Sequence, residues 1–546
     1  MRYVLTRAVL ALLLGLLSAG ATAPRGIAGP TVPVEAINRD LNRGVCGTGF
    51  LTHDLEHTSL GRTSPIRGFD GNGSGVALGD LNDDGLIDIV LATQVGEASV
   101  LWNRGGLRFE RQALPAHNTK AVATVDVDGD GRLDIAFTHN VLYPSYWRNE
   151  SGRFAETRLS GVRYPAFAFL WDDLYGLGRL DLVTASYDPI LEAENRDGFL
   201  FSDGAGVIVH SPSPDGYIER RLFKKSFALA LAAFDTDADG RRDIIVGNDF
   251  DLPDMAWRQS PAGQWVKAQP FVRFSKHTMS FSAADINNDG LPELFSTDMK
   301  PDFRDLKTLA QWVPLMERTY KKARYKAPQK TENYLQMWRG RGYQNMAYQL
   351  GLDATGWSWS AKFGDLDNDG YEDLYVVNGM TDIEQFPYLK DGELVEANQV
   401  FRNRQGRYFD RVPGWNLGST RSARGMSMAD LDNDGDLDIV VNNLGSKAQL
   451  FENRLCGSPA IQVELRWQAT QNTRAIGSQI VLRAGGSQQW RQVTSVSGYI
   501  SGDAPRAHFA MTGPQGQLEV TWPDGKRSVV EAKPSKRLIL TRKDSR

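Results

Sequence analysis

The chain has 546 residues, 41% of them hydrophobic and 23% charged, with a formal net charge of -4. That balance is globular, and the length allows several domains or one large repeat assembly. So small a net charge argues against a nucleic-acid partner, which calls for a basic surface, and 54 glycines fit a chain with many tight turns.

The N-terminus reads MRYVLTRAVLALLLGLLSAGATAPRG. Arg2 and Arg7 make a basic start, Ala8 to Leu17 is a short apolar run, and small residues follow. This predicts a secretory signal peptide over residues 1–21, cut after Ala21 because Pro24 disfavours a cut after Ala23. No Cys follows the run, which argues against a lipid anchor; an uncleaved membrane anchor is the alternative reading. No later segment is apolar enough to cross a bilayer. The mature chain is expected to be exported, secreted or periplasmic, with residues 22–45 as an N-terminal linker.

An acidic pattern, D-x-[DN]-x-D-G-x-x-[DE], then recurs along the chain. It starts at Asp80, Asp126, Asp235, Asp285, Asp365 and Asp430, with a worn copy, DLYGLGRLD, at Asp173. A short apolar run precedes each copy (SGVALG, FALALAAF, GMSMA) and a β-rich run follows (DIVLAT, DIIVG, DIVVNN). An aromatic strand and turn come next (VLWNRGGLRF, SYWRNESGRF, QVFRNRQGRYF). One unit is therefore four short strands with the acidic loop between the first and second. The spacing, about 46 residues or more, suits propeller blades. The expected fold is all-β: a seven-bladed β-propeller over residues 46–457, followed by a small β-rich domain over 458–546. A stacked solenoid, with its stricter period, is the alternative.

The fifth unit carries the largest insertion, residues 300–332. There Leu306, Leu309, Val313, Met316 and Tyr320 recur at helical spacing, with Pro314 expected to kink the helix. A basic run, Arg318 to Lys330, ends it. The last unit lacks a fourth strand, and CGTGFLTHDL (residues 46–55) matches the missing piece, which predicts that it completes the last blade beside residues 448–454. That brings Cys46 to Cys456, where a disulfide suits an exported protein; two unpaired thiols are the alternative.

Crowded carboxylates beside a buried strand need a positive partner. Calcium takes six to eight hard oxygen ligands in a flexible shell. Positions 1, 3, 5 and 9 can converge on one point if the glycine at position 6 turns the chain sharply. The expected ligands are Asp80, Asn82, Asp84 and Asp88; Asp126, Asp128, Asp130 and Asp134; Asp235, Asp237, Asp239 and Asp243. The second half repeats them as Asp285, Asn287, Asp289 and Glu293; Asp365, Asp367, Asp369 and Asp373; Asp430, Asp432, Asp434 and Asp438. Magnesium prefers a tighter octahedron, and zinc would want His or Cys, which the loops lack. Metal-free Asx turns are the bland alternative. The worn copy has Tyr175 and Leu177 at ligand positions and is expected to be empty.

These loops resemble FG-GAP/VCBS repeats, as in integrin-type propellers. The tail, from Asn472 through AIGS to WPDG (Trp522 to Gly525), resembles the ASPIC/UnbV domain, although HFAMTG (His508 to Gly513) stands where HFGLG is usual. The pair in this order looks like the secreted cartilage-acidic-protein/UnbV family, a resemblance covering nearly the whole mature chain. It implies calcium as cofactor and an extracytoplasmic location, with no settled activity. Read from its residues, the tail is β-rich and carries 13 basic against 6 acidic side chains from residue 459 onward. Solvated surface charge is the ordinary reading of that excess, and attraction to the acidic propeller the alternative.

If the loops share one face, the opposite mouth of the channel gathers Lys120, Arg163, Lys225, Lys276, His277, Trp357, Arg421 and Arg424. His139, Asp188, Asp249, Asp298, Asp382 and Asn443 follow the second strands. This mouth is the expected site for a polar or anionic ligand, a glycan or a protein. No zincin H-E-x-x-H, nucleophile elbow or phosphate loop is present. A binding, adhesion or scaffold module is therefore the leading reading, with no catalytic residue assigned. A propeller enzyme acting on a glycan or lipid-linked substrate, and an accessory protein in natural-product biosynthesis, are the alternatives; Asp188 or Asp249 paired with His139 or His277 would favour the enzyme.

Overall fold

The computed structural model describes residues 29–194, 204–322 and 329–544. The signal peptide expected over residues 1–21 and residues 323–328 of the basic run lie outside the described residues. The chain is all-β, 46% strand and 6% helix. Seven antiparallel sheets built on the repeat unit occur among the described residues. Within each, the strand after the acidic loop pairs on one side with the strand before it and on the other with the aromatic strand, as Asp134–His139 does between Thr119–Val125 and Ser145–Glu150. First strands of successive sheets lie side by side in chain order, and that of the last, Ala423–Ala429, returns to that of the first, Val76–Gly79.

Inner strands are buried on both faces, so their apolar residues run together and their polar ones need hydrogen-bond partners. Val76–Gly79, Thr119–Val125 and Asp134–His139 are buried throughout, whereas the outer Phe109–Leu114 and Arg153–Thr157 are largely exposed. The aromatic third strands fill the space between neighbouring sheets. Trp102 and Trp147 share one core with Val122 and Phe137, and Trp102 stacks on Phe154 at 6.0 Å.

The last sheet is completed from the other end of the chain. Phe50–Thr58 pairs antiparallel with Lys447–Asn453, with Phe50 opposite Asn453. Just before this strand, a disulfide joins Cys46 to Cys456, Cα to Cα 5.3 Å. The expected linker is only partly one: Val34–Asp40 is an edge strand pairing with Lys536–Arg542. Nothing in its composition announced this, because an edge strand held by its backbone ladder, with six of its seven residues exposed, needs few apolar residues.

The C-terminal part holds two four-stranded sheets, one ordered Val34–Asp40, Lys536–Arg542, Ala460–Arg466, Arg506–Ala510 and the other built around Gln479–Ala484 and Gly516–Thr521. From it a hairpin, Val496–Ser497 and Ser501–Gly502, enters the axis of the ring. Gly502 pairs with Ala77 of the first sheet and Gly498 with Phe281 of the fifth, so the hairpin bridges opposite sides. Tyr499 at its tip is fully buried, 5.0 Å from the Trp359 ring and 6.3 Å from Phe167. Tyr499→Ala is therefore expected to cost about 3–5 kcal/mol, the usual range for truncating a buried aromatic; chemical denaturation checks this, and a loss below about 1 kcal/mol would mean that the hairpin does not fill the axis in solution.

The helical insertion is Leu306–Lys322, one helix with Pro314 inside it. Its buried face differs from the predicted stripe. Leu306 and Val313 are exposed, and Thr308 and Trp312 are buried. Trp312 packs against Trp357 with tilted rings at 5.6 Å and donates its indole N–H to Glu396 Oε1 at 2.8 Å. One buried indole with a polar partner outweighed the aliphatic count.

Candidate metal loops and the opposite rim

Each full acidic loop repeats one backbone scheme. The position-6 glycine amide donates to the first Asp, as Gly85 to Asp80 (2.8 Å), Gly370 to Asp365 (2.8 Å) and Gly435 to Asp430 (2.7 Å). These glycines lie at φ near +90°, Gly370 at 92° and Gly435 at 98°. The last acid ties the loop to the sheet: Asp438 accepts from Leu431 N (2.9 Å) and Asn453 N (2.8 Å), and Asp134 from Val127 N (3.0 Å) and Asn149 N (2.7 Å). Position 4 is left-handed too, and there Asp83, Asn288, Asn368 and Asn433 suit αL while Ala238, at φ 59°, does not. Ala238→Gly should stabilise by about 1 kcal/mol, read as a higher denaturation midpoint; an unchanged midpoint would refute this strain.

Three carboxylates meet, with ligand oxygens within 4.8 Å of one another, in four loops: Asp126, Asp128, Asp134; Asp235, Asp237, Asp239; Asp365, Asp367, Asp373; and Asp430, Asp432, Asp438. In the other two, Asn82 and Asn287 supply an amide at position 3, donating to Asp84 (2.9 Å) and Asp289 (3.0 Å). Asp130, Asp369 and Asp434 stand outside the triads, and in the Asp235 loop Asp243 does. Oδ1 of Asp80, Asp367 and Asp432 is buried without a hydrogen-bond partner. Burial, then the charge of neighbouring carboxylates, pushes Asp430 up to about 7 and Asp434 to about 8. The same causes raise Asp365, Asp373 and Asp438 well above the carboxylate range. Hard oxygens that resist ionising together, some with idle lone pairs, fit a hard divalent cation. At the worn copy, Asp173 accepts from Leu177 N and Gly178 N, both at 2.8 Å.

Two residue sets escaped the sequence reading, although the recurring R-N and N-R pairs of the third strands held the signal. Arg148, Arg258 and Arg402 reach back to Asp128 (2.7 Å), Asp237 (3.1 Å) and Asp367 (2.5 Å). Asn103, Asn149, Asn403 and Asn453 donate to the preceding sheet's loop, at Leu431 O (2.7 Å), Leu81 O (2.7 Å), Ile286 O (2.8 Å) and Leu366 O (2.7 Å). Some of the C-terminal basic residues also lie on this face, while others, such as Arg483, Lys533 and Lys543, stay exposed. Arg474 meets Asp83 at 2.9 Å and Arg491 meets Glu372 at 3.1 Å, while Arg537 donates to Gly85 O. Gln462 and Thr473 donate directly to the carboxylates of Asp430 and Asp126.

The opposite rim is not the open funnel expected from sequence. Lys120 is buried, donating to Gln94 Oε1 (2.6 Å) and to Asn72 O. Arg424 is buried beneath Trp359 (4.2 Å) and donates to Gly71 O (2.6 Å) and Ala423 O (2.7 Å), its pKa pulled down to about 9 by burial. Trp357 is buried against Trp312 and Phe386. These three are structural because the axis is filled. Arg421 pairs sideways with Asp54 at 2.6 Å. Arg163, Lys225, Lys276 and His277 keep solvent-facing surface. His139 meets Ser145 Oγ (2.9 Å) and Asn118 O (3.2 Å), and Asp188 is bound by Ser186 Oγ and Ser226 N. Asp249, in contrast, binds His277 Nδ1 at 2.6 Å and accepts from Tyr187 Oη at 2.6 Å.

Among the described residues, no helix is long and apolar enough to cross a membrane. No curated protein matches the chain. Solved structures similar to it include BBS1N in complex with ARL6DN, 9% identical at TM-score 0.42, covering 73% of this chain and 98% of that one. They include the RRP9 WD40 repeats, 12% identical at TM-score 0.40, covering 75% and 99%. An arginine-to-alanine mutant of AofleA from Arthrobotrys oligospora is 10% identical at TM-score 0.35, covering 75% and 95%. A family model described as FG-GAP-like repeat matches residues 80–137, 235–296 and 391–441, and one described as ASPIC and UnbV matches residues 468–546. The chain thus carries FG-GAP-like repeats followed by a C-terminal segment that matches the ASPIC and UnbV model.

Proposed function

We propose that this chain is an exported, calcium-binding, seven-bladed propeller (residues 46–457) carrying a C-terminal domain (458–546), and that it works as a binding, adhesion or scaffold module for a polar ligand outside the cytoplasm, a glycan or a protein. The observation that carries the reading is the repetition of carboxylate triads at one backbone geometry, three of the four with two buried members. Calcium, when bound, supplies the positive charge that lets them ionise together. The chain's own residues fix the loop through the position-6 amide and weld it to the next sheet through the third-strand asparagines. A rigid ring of this kind presents its rim and loops without adapting its core, which suits recognition. The Cys46–Cys456 disulfide agrees with an oxidising compartment.

Metal analysis of chelator-washed and recharged protein, followed by an array of glycans and matrix proteins probed with and without EGTA, tests this reading. Retained calcium and an EGTA-sensitive ligand are expected; no retained calcium removes its basis. The Asp249–His277 pair favours one second reading, an enzyme acting on a glycan or lipid-linked substrate with His277 as proton acceptor. For that reading, His277→Gln should abolish turnover of a released product while leaving folding intact.

A further inference from the structure

The rim opposite the acidic loops carries an accessible cluster built from three successive sheets. Phe250 sits at its centre with φ 56°, a left-handed conformation that a bulky side chain rarely adopts. Its surroundings hold it there: Phe250 N donates to Asp249 Oδ1 at 2.8 Å, and Asp249 is fixed by Tyr187 Oη and His277 Nδ1, both at 2.6 Å. His277 is itself oriented by Asp298, which accepts its backbone N–H at 3.1 Å. The result is a ring left 40% exposed, edge-on to His277 at 5.8 Å and to Phe227 at 6.3 Å. Lys225 lies over Phe227 at 4.9 Å, and Lys276 stands 3.5 Å from the exposed Asp251. His277 Nδ1 faces Asp249, and the residue keeps part of its surface open to solvent.

We propose that Lys225, Phe227, Phe250, Lys276 and His277 form a subsite for an acidic sugar, its pyranose C–H face on the Phe250 ring and its carboxylate or sulfate toward the two lysines. A single exposed ring edged by hydrogen-bonding groups matches the two faces of a sugar, one of C–H bonds and one of hydroxyls. It offers neither the groove nor the free sheet edge by which peptides are commonly taken. The left-handed turn sets the ring against Tyr187, Phe227 and His277 with part of it open to solvent. This deepens the binding-module reading and rests on it.

Titration calorimetry on the full chain in calcium tests the proposal with four probes: an oligogalacturonate, a sulfated oligosaccharide, a neutral dextran oligosaccharide and poly-glutamate. The uronate or the sulfated sugar is expected to bind, with weaker affinity for the neutral one. Phe250→Gly, which accommodates the positive φ, should keep or raise the thermal midpoint yet lose at least about tenfold in affinity. Lys225→Gln and Lys276→Gln should weaken binding and flatten its salt dependence. The subsite is refuted if no sugar binds, if poly-glutamate alone binds, or if Phe250→Gly binds as well as the parent protein. In each case the broader reading survives when the EGTA-sensitive ligand found on the array still binds Phe250→Gly.

Discussion

Chelating calcium from the purified protein should lower its thermal midpoint more than any single substitution, and the gap between loaded and stripped protein should widen as pH rises from 5.5 to 8. Each site held at a hundredfold its dissociation constant contributes about 2.7 kcal/mol, and several sites act on one ring. The pH dependence follows from the sign of the carboxylate shifts. Asp88, Asp134, Asp243, Asp285 and Asp430 are raised to about 7 and Asp434 to about 8, chiefly by burial. A carboxylate raised in the folded state gives stability that is present below its unfolded pKa and lost as pH climbs through the folded value. Stripped protein should therefore weaken between about pH 4 and 8. In loaded protein the cation replaces the protons, so its advantage shrinks in acid and grows in base. Differential scanning calorimetry with calcium and with EGTA at four pH values checks this; a gap that stays flat or narrows with pH would overturn the metal assignment.

Replacing Cys46 and Cys456 together by Ala is expected to destabilise by about 5 kcal/mol. The bridge spans 410 residues, so by the chain-entropy argument it removes a large amount of freedom from the unfolded chain. It also staples the one sheet whose fourth strand arrives from the far end of the sequence. Phe50–Thr58 is held otherwise by its ladder to Lys447–Asn453 and by a few buried side chains, among them Phe50, Leu55 and His57. Loss of the bridge should therefore show first as faster amide exchange along Lys447–Asn453, at conditions where the other sheets stay protected. Uniform exchange and a denaturation free energy within about 1 kcal/mol of the parent would show that ring closure relies on the ladder alone.

The loops were legible because their chemistry is local. Asp at positions 1, 3, 5 and 9 and Gly at 6 form one turn whatever surrounds it, and the Cys46–Cys456 pairing followed from counting strands in the last unit. Less was legible where a residue's role depends on distant parts of the chain. The stripe Leu306, Leu309, Val313 and Met316 misled because Trp312 found Trp357 and Glu396, which are far away in sequence. Lys120, Trp357 and Arg424 read as rim residues because the sequence places them before first strands, and nothing nearby says that Tyr499 will come to lie among them.

By itself, then, the sequence determined the repeat, the β class and the carboxylate loops, since each depends on contacts a few residues apart or on the periodic placement of apolar side chains, and the chain-end closure, since the last unit lacks a strand that residues 46–55 match. Tertiary structure decided which charges see solvent. The hairpin Val496–Gly502 closes the axis, some of the C-terminal arginines settle over the acidic face, and Val34–Asp40 leaves the linker to join a sheet. Burial and ion pairing in these places arise from segments hundreds of residues apart, and only their meeting in space fixes whether a lysine binds a ligand or a carbonyl.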